Sequence, residues 1–285
     1  MIIEMKKIKL YIASVIVALA VTSCEMDLLD NPNSLTPDNA DINYLTNNVQ
    51  FTFRDIFHDA SSMGMEVTRM KCIYGFSYDN TYTPTTFNNL WSLSYSSFLV
   101  DVNTLIPMAE ERNLNYHAGM AKVMKAYVLL TLVDYFGNVP FTEALDAGNF
   151  NPNVDNGESV YQYAQGLLDE AITSLQKSSS GNPKDFFYSS AAGWVKLANT
   201  LKLKVYLQTR LVNNSAKTQI EQLLTSGSLI TAASEDFTFK YGTNLASPDS
   251  RAPDFAENYV NGTNSGEYMS NYYMNLLYRD KGIKD

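Results

Sequence analysis

Apolar residues recur at spacings of three and four through segment after segment of this 285-residue chain, and that period admits few architectures. The pattern begins near Ile42 and runs through Leu45, Val49, Phe53, Ile56 and Phe57. Between about Ser61 and Asn89 it breaks into Gly, Ser, Asn, Thr and Tyr, which predicts a long loop region. A second helix is expected from about Phe87 to Glu111, with Leu90, Trp91, Tyr95, Phe98, Val102, Leu105 and Ile106 on one stripe. A third, about Tyr116 to Phe136, is stopped by Gly137 as a left-handed cap and by Pro140. Further helices are expected at about Glu158–Lys177, Ala191–Asn213 and Ala216–Thr225, and a last one over Ser270–Tyr278 after a loop-like, Tyr- and Asn-rich stretch from Phe237. No strong run of strict alternation competes, so the fold class is mainly α. Trp91, Tyr127, Tyr163 and Trp194 recur at about 31–36 residues, near the tetratricopeptide period. The spacing fits stacked helical hairpins or simply four core aromatics on four helices. On either reading Trp91 and Trp194 belong to the core.

The N-terminus predicts where the chain resides. Lys6, Lys7 and Lys9 precede an apolar run from Leu10 to Val21, too short to span a bilayer. Val21-Thr22-Ser23-Cys24 then matches a bacterial lipobox, in which cleavage precedes Cys24 and its thiol is acylated. Several acyl chains on one residue give stable anchoring where one chain would be marginal. The expected organisation is a lipoprotein signal peptide at 1–23, a tether at 24–40 rich in Asn, Pro and Asp, and one helical domain at 41–285. Cys72, left without an intrachain partner, reads as a small buried apolar residue.

Composition narrows the chemistry. Thirty acids against 21 Lys plus Arg give a net charge of −9, which argues against nucleic acid as a partner. Two His and two Cys leave little for a metal site, and none is expected. His58 and His117 lack a surrounding nucleophile motif, and no phosphate-binding loop or zinc-binding H-E-x-x-H occurs. Acids such as Asp134, Glu143, Asp169 and Glu170 read as caps or solvated helix faces, so no catalytic residue is assigned and no cofactor is expected. The surplus lies in 19 Tyr and 14 Phe, a composition suited to binding.

Two blocks carry a resemblance. One runs from Ala121 through Tyr127 to Leu132-Val133-Asp134-Tyr135-Phe136-Gly137-Asn138-Val139-Pro140-Phe141 and on to Leu145. The other is Phe187-Tyr188-Ser189 with Trp194-Val195-Lys196-Leu197-Ala198-Asn199-Thr200-Leu201-Lys202-Leu203-Lys204, with Thr200 and Lys204 where Ser and Arg are usual. Together with the start Cys24-Glu25-Met26-Asp27-Leu28-Leu29-Asp30-Asn31-Pro32-Asn33, these resemble the SusD/RagB family. The signature reads as structural: Gly137 and Pro140 end a helix, Asp134 or Asn138 cap backbone nearby, and Lys196, Lys202 and Lys204 decorate a solvated face.

The resemblance implies tetratricopeptide-like hairpins with a loop-rich ligand-binding region. It implies a lipid-anchored protein on the outer-membrane surface that binds oligosaccharides for a SusC-type TonB-dependent transporter. A peptide-binding relative, or an interaction scaffold without a small ligand, are the alternatives. Members of that family are longer, so the sequence reads as truncated at its C-terminus. For the ligand, the expectation falls on the loop carrying Arg69, Tyr74, Tyr78, Asn80 and Tyr82, since rings stack on sugar C–H faces while Asn and Arg read hydroxyls. Tyr241, Asn244, Arg251, Tyr259 and Asn261 form a second, weaker cluster.

Overall fold

A computed structural model describes residues 41–73, 82–245, 250–259 and 268–283, with backbone only for residues 257 and 258. The expected signal peptide and tether lie outside the described residues.

Asp41 opens α1 (Ile42–Val67) by accepting a hydrogen bond from the Asn43 amide at 2.8 Å. The stripe Ile42, Val49, Phe53, Ile56, Ala60 and Met63 is buried. Because that stripe continues to Met63, the helix runs well past Ser61, where a loop was expected. After a short 3₁₀ turn at Pro84–Phe87, α2 (Asn88–Ser92), a π-helical stretch (Leu93–Phe98) and α3 (Leu99–Glu111) follow end to end. Asn113, at φ 54°, turns the chain into α4 (Asn115–Phe136). Then come α5 (Gly157–Leu175), α6 (Ala191–Thr209), α7 (Ala216–Ser226), α8 (Pro253–Tyr259) and α9 (Asn271–Asn275), the last continued by a π turn at Leu276–Asp280. The described residues hold no sheet, only single bridges between Lys71 and Met269 and between Val139 and Asp155. No described helix is long and apolar enough to cross a membrane.

Among the described residues α4 is the most enclosed helix. From Tyr116 to Leu132 every residue except Tyr127 is buried, because α3, α5, α6 and α1 pack around it. Gly119 permits the closest approach: a β-carbon there would sit 2.5 Å from Leu175 Cγ on α5. The two ammonium groups buried on α4 are satisfied differently. Lys122 reaches Glu110 at 2.7 Å and Glu170 at 2.8 Å, while Lys125 lies 5.5 Å from the centre of the Tyr163 ring. His117 is 2% exposed and neither ring nitrogen has a partner, so burial lowers its pKa and keeps it neutral.

The signature blocks explain how the hairpins join. Gly137 takes φ 76° to end α4, and the Asn138 side chain then accepts from the Gly157 amide at 2.9 Å, capping the next helix rather than its own. Gly157 has to be small because a β-carbon would meet the Gly137 carbonyl at 2.7 Å. Asp134 caps nothing. Its carboxylate accepts from the Tyr161 hydroxyl on α5 and faces Lys204 on α6 at 3.5 Å, tying three helices together.

Asp185, two residues before the second block, is the hub of its contacts. It accepts from Tyr116 Oη and Trp194 Nε1, each at 2.7 Å, and from the amides of Phe187 and Tyr188. Around Trp194, which is fully buried, Phe187 stacks on Phe237 at 4.4 Å. Lys196 and Lys202 are less free than expected, paired with Glu235 and Asp169.

Three further expectations change. Trp91 is 37% exposed, since it packs edge-on against Phe136 at the rim instead of between helices. Cys72 is exposed because the chain leaves the helix surface there. α6 stops at Thr209, and the loop-like stretch after Phe237 contains the short helix α8.

Candidate functional site

The root of the first nominated loop is built by the end of α1. Arg69 adopts φ 61°, a left-handed turn that reverses the chain after the helix. The reversed segment then lies along residues 268–270. Cys72 donates its amide to the Tyr268 carbonyl at 2.8 Å, the Ser270 amide donates to Met70 O at 2.9 Å, and the Ser270 hydroxyl donates to Arg69 O. Lys71 is buried beneath, its ammonium 2.8 Å from Asp254 on α8 and 3.2 Å from Ser62 on α1. His58 Nδ1 stands 3.8 Å from the same Asp254.

These contacts bring the bases of the two nominated clusters together, although they are about 180 residues apart in sequence. Tyr82 anchors the far side of the loop: its hydroxyl donates to Glu66 at 2.5 Å and its ring lies 5.9 Å from Phe87. That arrangement makes Tyr82 an anchor of the rim. Tyr74, Tyr78 and Asn80 lie outside the described residues, as does Asn261.

The second cluster divides. Tyr241 packs on Phe239 at 4.9 Å, and Phe239 in turn lies under the Arg54 guanidinium at 5.3 Å. Burial pushes the Tyr241 phenol up, so it stays protonated and able to donate. The Asn244 amide donates to the Ser250 hydroxyl at 3.0 Å and its carbonyl accepts from the Ser250 amide at 3.1 Å. Arg251 lies 5.7 Å from the Phe255 ring centre, and that ring lies 5.3 Å from Tyr259.

Tyr259 belongs to a larger exposed set missed in sequence. Phe255 is 49% exposed, Tyr259 78%, Tyr268 68%, and Tyr272 and Tyr278 61% each. The Ser270 side chain starts α9 by accepting from the Tyr273 amide at 3.1 Å, which sets Tyr272 outward. A signal was present: aromatics crowd residues 268–278, and the run there is too short for them all to face a core.

Chemically, residues 251–278 offer exposed phenol rings together with the side chains of Asp254 and Arg251. Such groups bind ligands with apolar faces and hydroxyl edges. No group of three His, Cys, Asp or Glu side chains placed to hold a metal ion occurs among the described residues.

Comparison with known proteins agrees with the fold. Residues 32–279 match the SusD-like family model described as "Starch-binding associating with outer membrane". Among solved structures, a SusD/RagB family protein from Bacteroides thetaiotaomicron superposes with a TM-score of 0.62 at 24% identity, over 72% of this chain and 46% of that one. A SusD homologue from Bacteroides uniformis gives 0.59 at 21% identity, over 71% and 45%. A chitin-binding protein gives 0.57 at 21%, over 67% and 45%. The chain therefore spans about half the length of the solved structures it matches. A search of the curated proteins finds no match.

Proposed function

Because the chain belongs to the SusD-like family, we propose that it is a lipid-anchored protein of the outer-membrane surface that captures oligosaccharide nutrients. It hands them to a SusC-type TonB-dependent transporter. The match over residues 32–279 to a family described as starch-binding and outer-membrane-associated carries this reading. The chitin-binding relative points to the same ligand class.

The tyrosine-rich surface fits that role. Sugar rings present flat C–H faces to Tyr259, Tyr268, Tyr272 and Tyr278, and Arg69, Tyr74, Tyr78, Asn80 and Tyr82 add further rings and hydroxyl-reading groups in this proposal. Cys24 supplies the anchor through acylation, and the tether to Ala40 sets the domain off the membrane.

The test is expression of the full chain in a Bacteroidetes host fed labelled palmitate. Wild type should carry label, fractionate with outer membranes and bring down a TonB-dependent transporter in mild detergent. Cys24→Ala should lose both label and membrane association. Unlabelled wild type in the periplasm, or a monomer at every detergent and salt condition, would contradict the reading.

A further inference from the structure

A cleft of about 600 Å³ opens where the C-terminal ends of α4 and α6 meet the first turns of α5, with its outer edge formed by the turn at 210–214. That volume is ordinary for a small-molecule site. Its lining is polar: Gln162, Gln165, Thr209 and Asn214 supply amides and a hydroxyl, Glu158 supplies a carboxylate that accepts from the Gln162 amide at 3.2 Å, and no Lys, Arg or His takes part. The Gln165 amide nitrogen is buried with no hydrogen-bond partner, a donor that native folds seldom leave unanswered.

Tyr161 forms an aromatic wall. Its hydroxyl donates to Asp134, which fixes the ring, and burial together with that carboxylate keeps the phenol protonated. Val133 and Val212 are the aliphatic side chains of the lining.

This chemistry selects among ligands. With the Glu158 carboxylate in its lining and no cation, the cleft disfavours a phosphate or carboxylate. A bound peptide draws much of its specificity from apolar side-chain pockets, and two valines are the only aliphatic side chains lining this cleft. Amides and hydroxyls both donate and accept, which matches the adjacent hydroxyls of a sugar, and one ring face suits its C–H surface. We propose that this cleft is a second saccharide site, taking a short neutral sugar and separate from the exposed tyrosines at 255–278. The proposal rests on the glycan reading above.

The test uses the full chain with maltotriose and chitotriose, following backbone hydrogen exchange and calorimetric titration. In wild type, one of these sugars should slow exchange over residues 157–165 and 209–214. Val212→Trp, which occupies the mouth from an exposed position, and the double variant Gln162→Ala/Asn214→Ala should lose that protection. Both should weaken the corresponding binding by about tenfold, with unchanged melting.

If sugar protects other segments only, or the variants titrate like wild type, the cleft proposal falls and the glycan reading stands. If wild type binds neither these sugars nor longer glycans, the glycan reading falls and takes the cleft with it. If tetra-alanine protects 209–214 where the sugars do not, the cleft is a peptide site and the proposal is overturned.

Discussion

α4 and the segment from Phe255 to Tyr278 are both crowded with large side chains, yet they place them in opposite environments. On α4 the side chains from Tyr116 to Leu132 are enclosed by four other helices, and even its charged groups have carboxylate or aromatic neighbours. In the later segment the rings of Tyr259, Tyr268, Tyr272 and Tyr278 are exposed, on and beside short helices joined to residues 70–72 by backbone bonds and by the Lys71–Asp254 ion pair. One region carries stability and the other presents a surface. Substitutions should therefore separate folding from binding.

The largest effect is expected in the enclosed region. Trp194→Ala removes a fully buried ring and leaves Asp185 without its indole donor, so a loss of about 3–5 kcal/mol is expected in urea unfolding. Next comes Gly119→Val, which pushes a side chain into Leu175 and should cost about 1–3 kcal/mol by separating α4 from α5.

His117 yields a pH dependence. Its folded pKa lies below its unfolded one because burial disfavours the charged ring, so the unfolded chain binds the extra proton. Stability should be full above the unfolded value near 6.5 and fall as the pH drops below it, by at most about 1.4 kcal/mol per pH unit. His117→Leu should flatten that slope between pH 7 and 5, and an unchanged slope would assign it to other groups. The smallest effect belongs to the exposed set: Tyr268→Ala or Tyr272→Ala should change stability by under about 0.5 kcal/mol.

The same contrast governs how far the sequence could be read. α4 was legible to within a residue, because Gly137 and Pro140 end it and its apolar content is nearly continuous. The C-terminal end of α1 was not. Its last turns, Ser61–Val67, carry Ser, Gly and Glu, and only burial of Met63 and the partners of Tyr82 reveal why they stay helical. Trp91 illustrates the limit from the other side, since periodicity assigns a residue to a stripe but cannot distinguish its centre from its rim.

The candidate surface was less legible still. Lys71 and Asp254 join segments that sequence treats as unrelated, and no local pattern records a contact between residues 183 positions apart. Asp134 and Asn138 show an intermediate case. Both were marked as capping groups, and Asn138 does cap, but on the helix after the loop, whereas Asp134 ties α4 to α5 and α6.

The most direct test of the separation is calorimetric titration of the full chain with maltoheptaose, comparing wild type with Tyr259→Ala, Tyr268→Ala and Tyr272→Ala, each melted first. Each loss of a true stacking platform should weaken binding by about 1 kcal/mol, near fivefold, while the melting temperature stays at the wild-type value. If all three variants bind as wild type does, or if binding falls only in step with melting, the exposed tyrosines are not a ligand surface and the division drawn here is wrong.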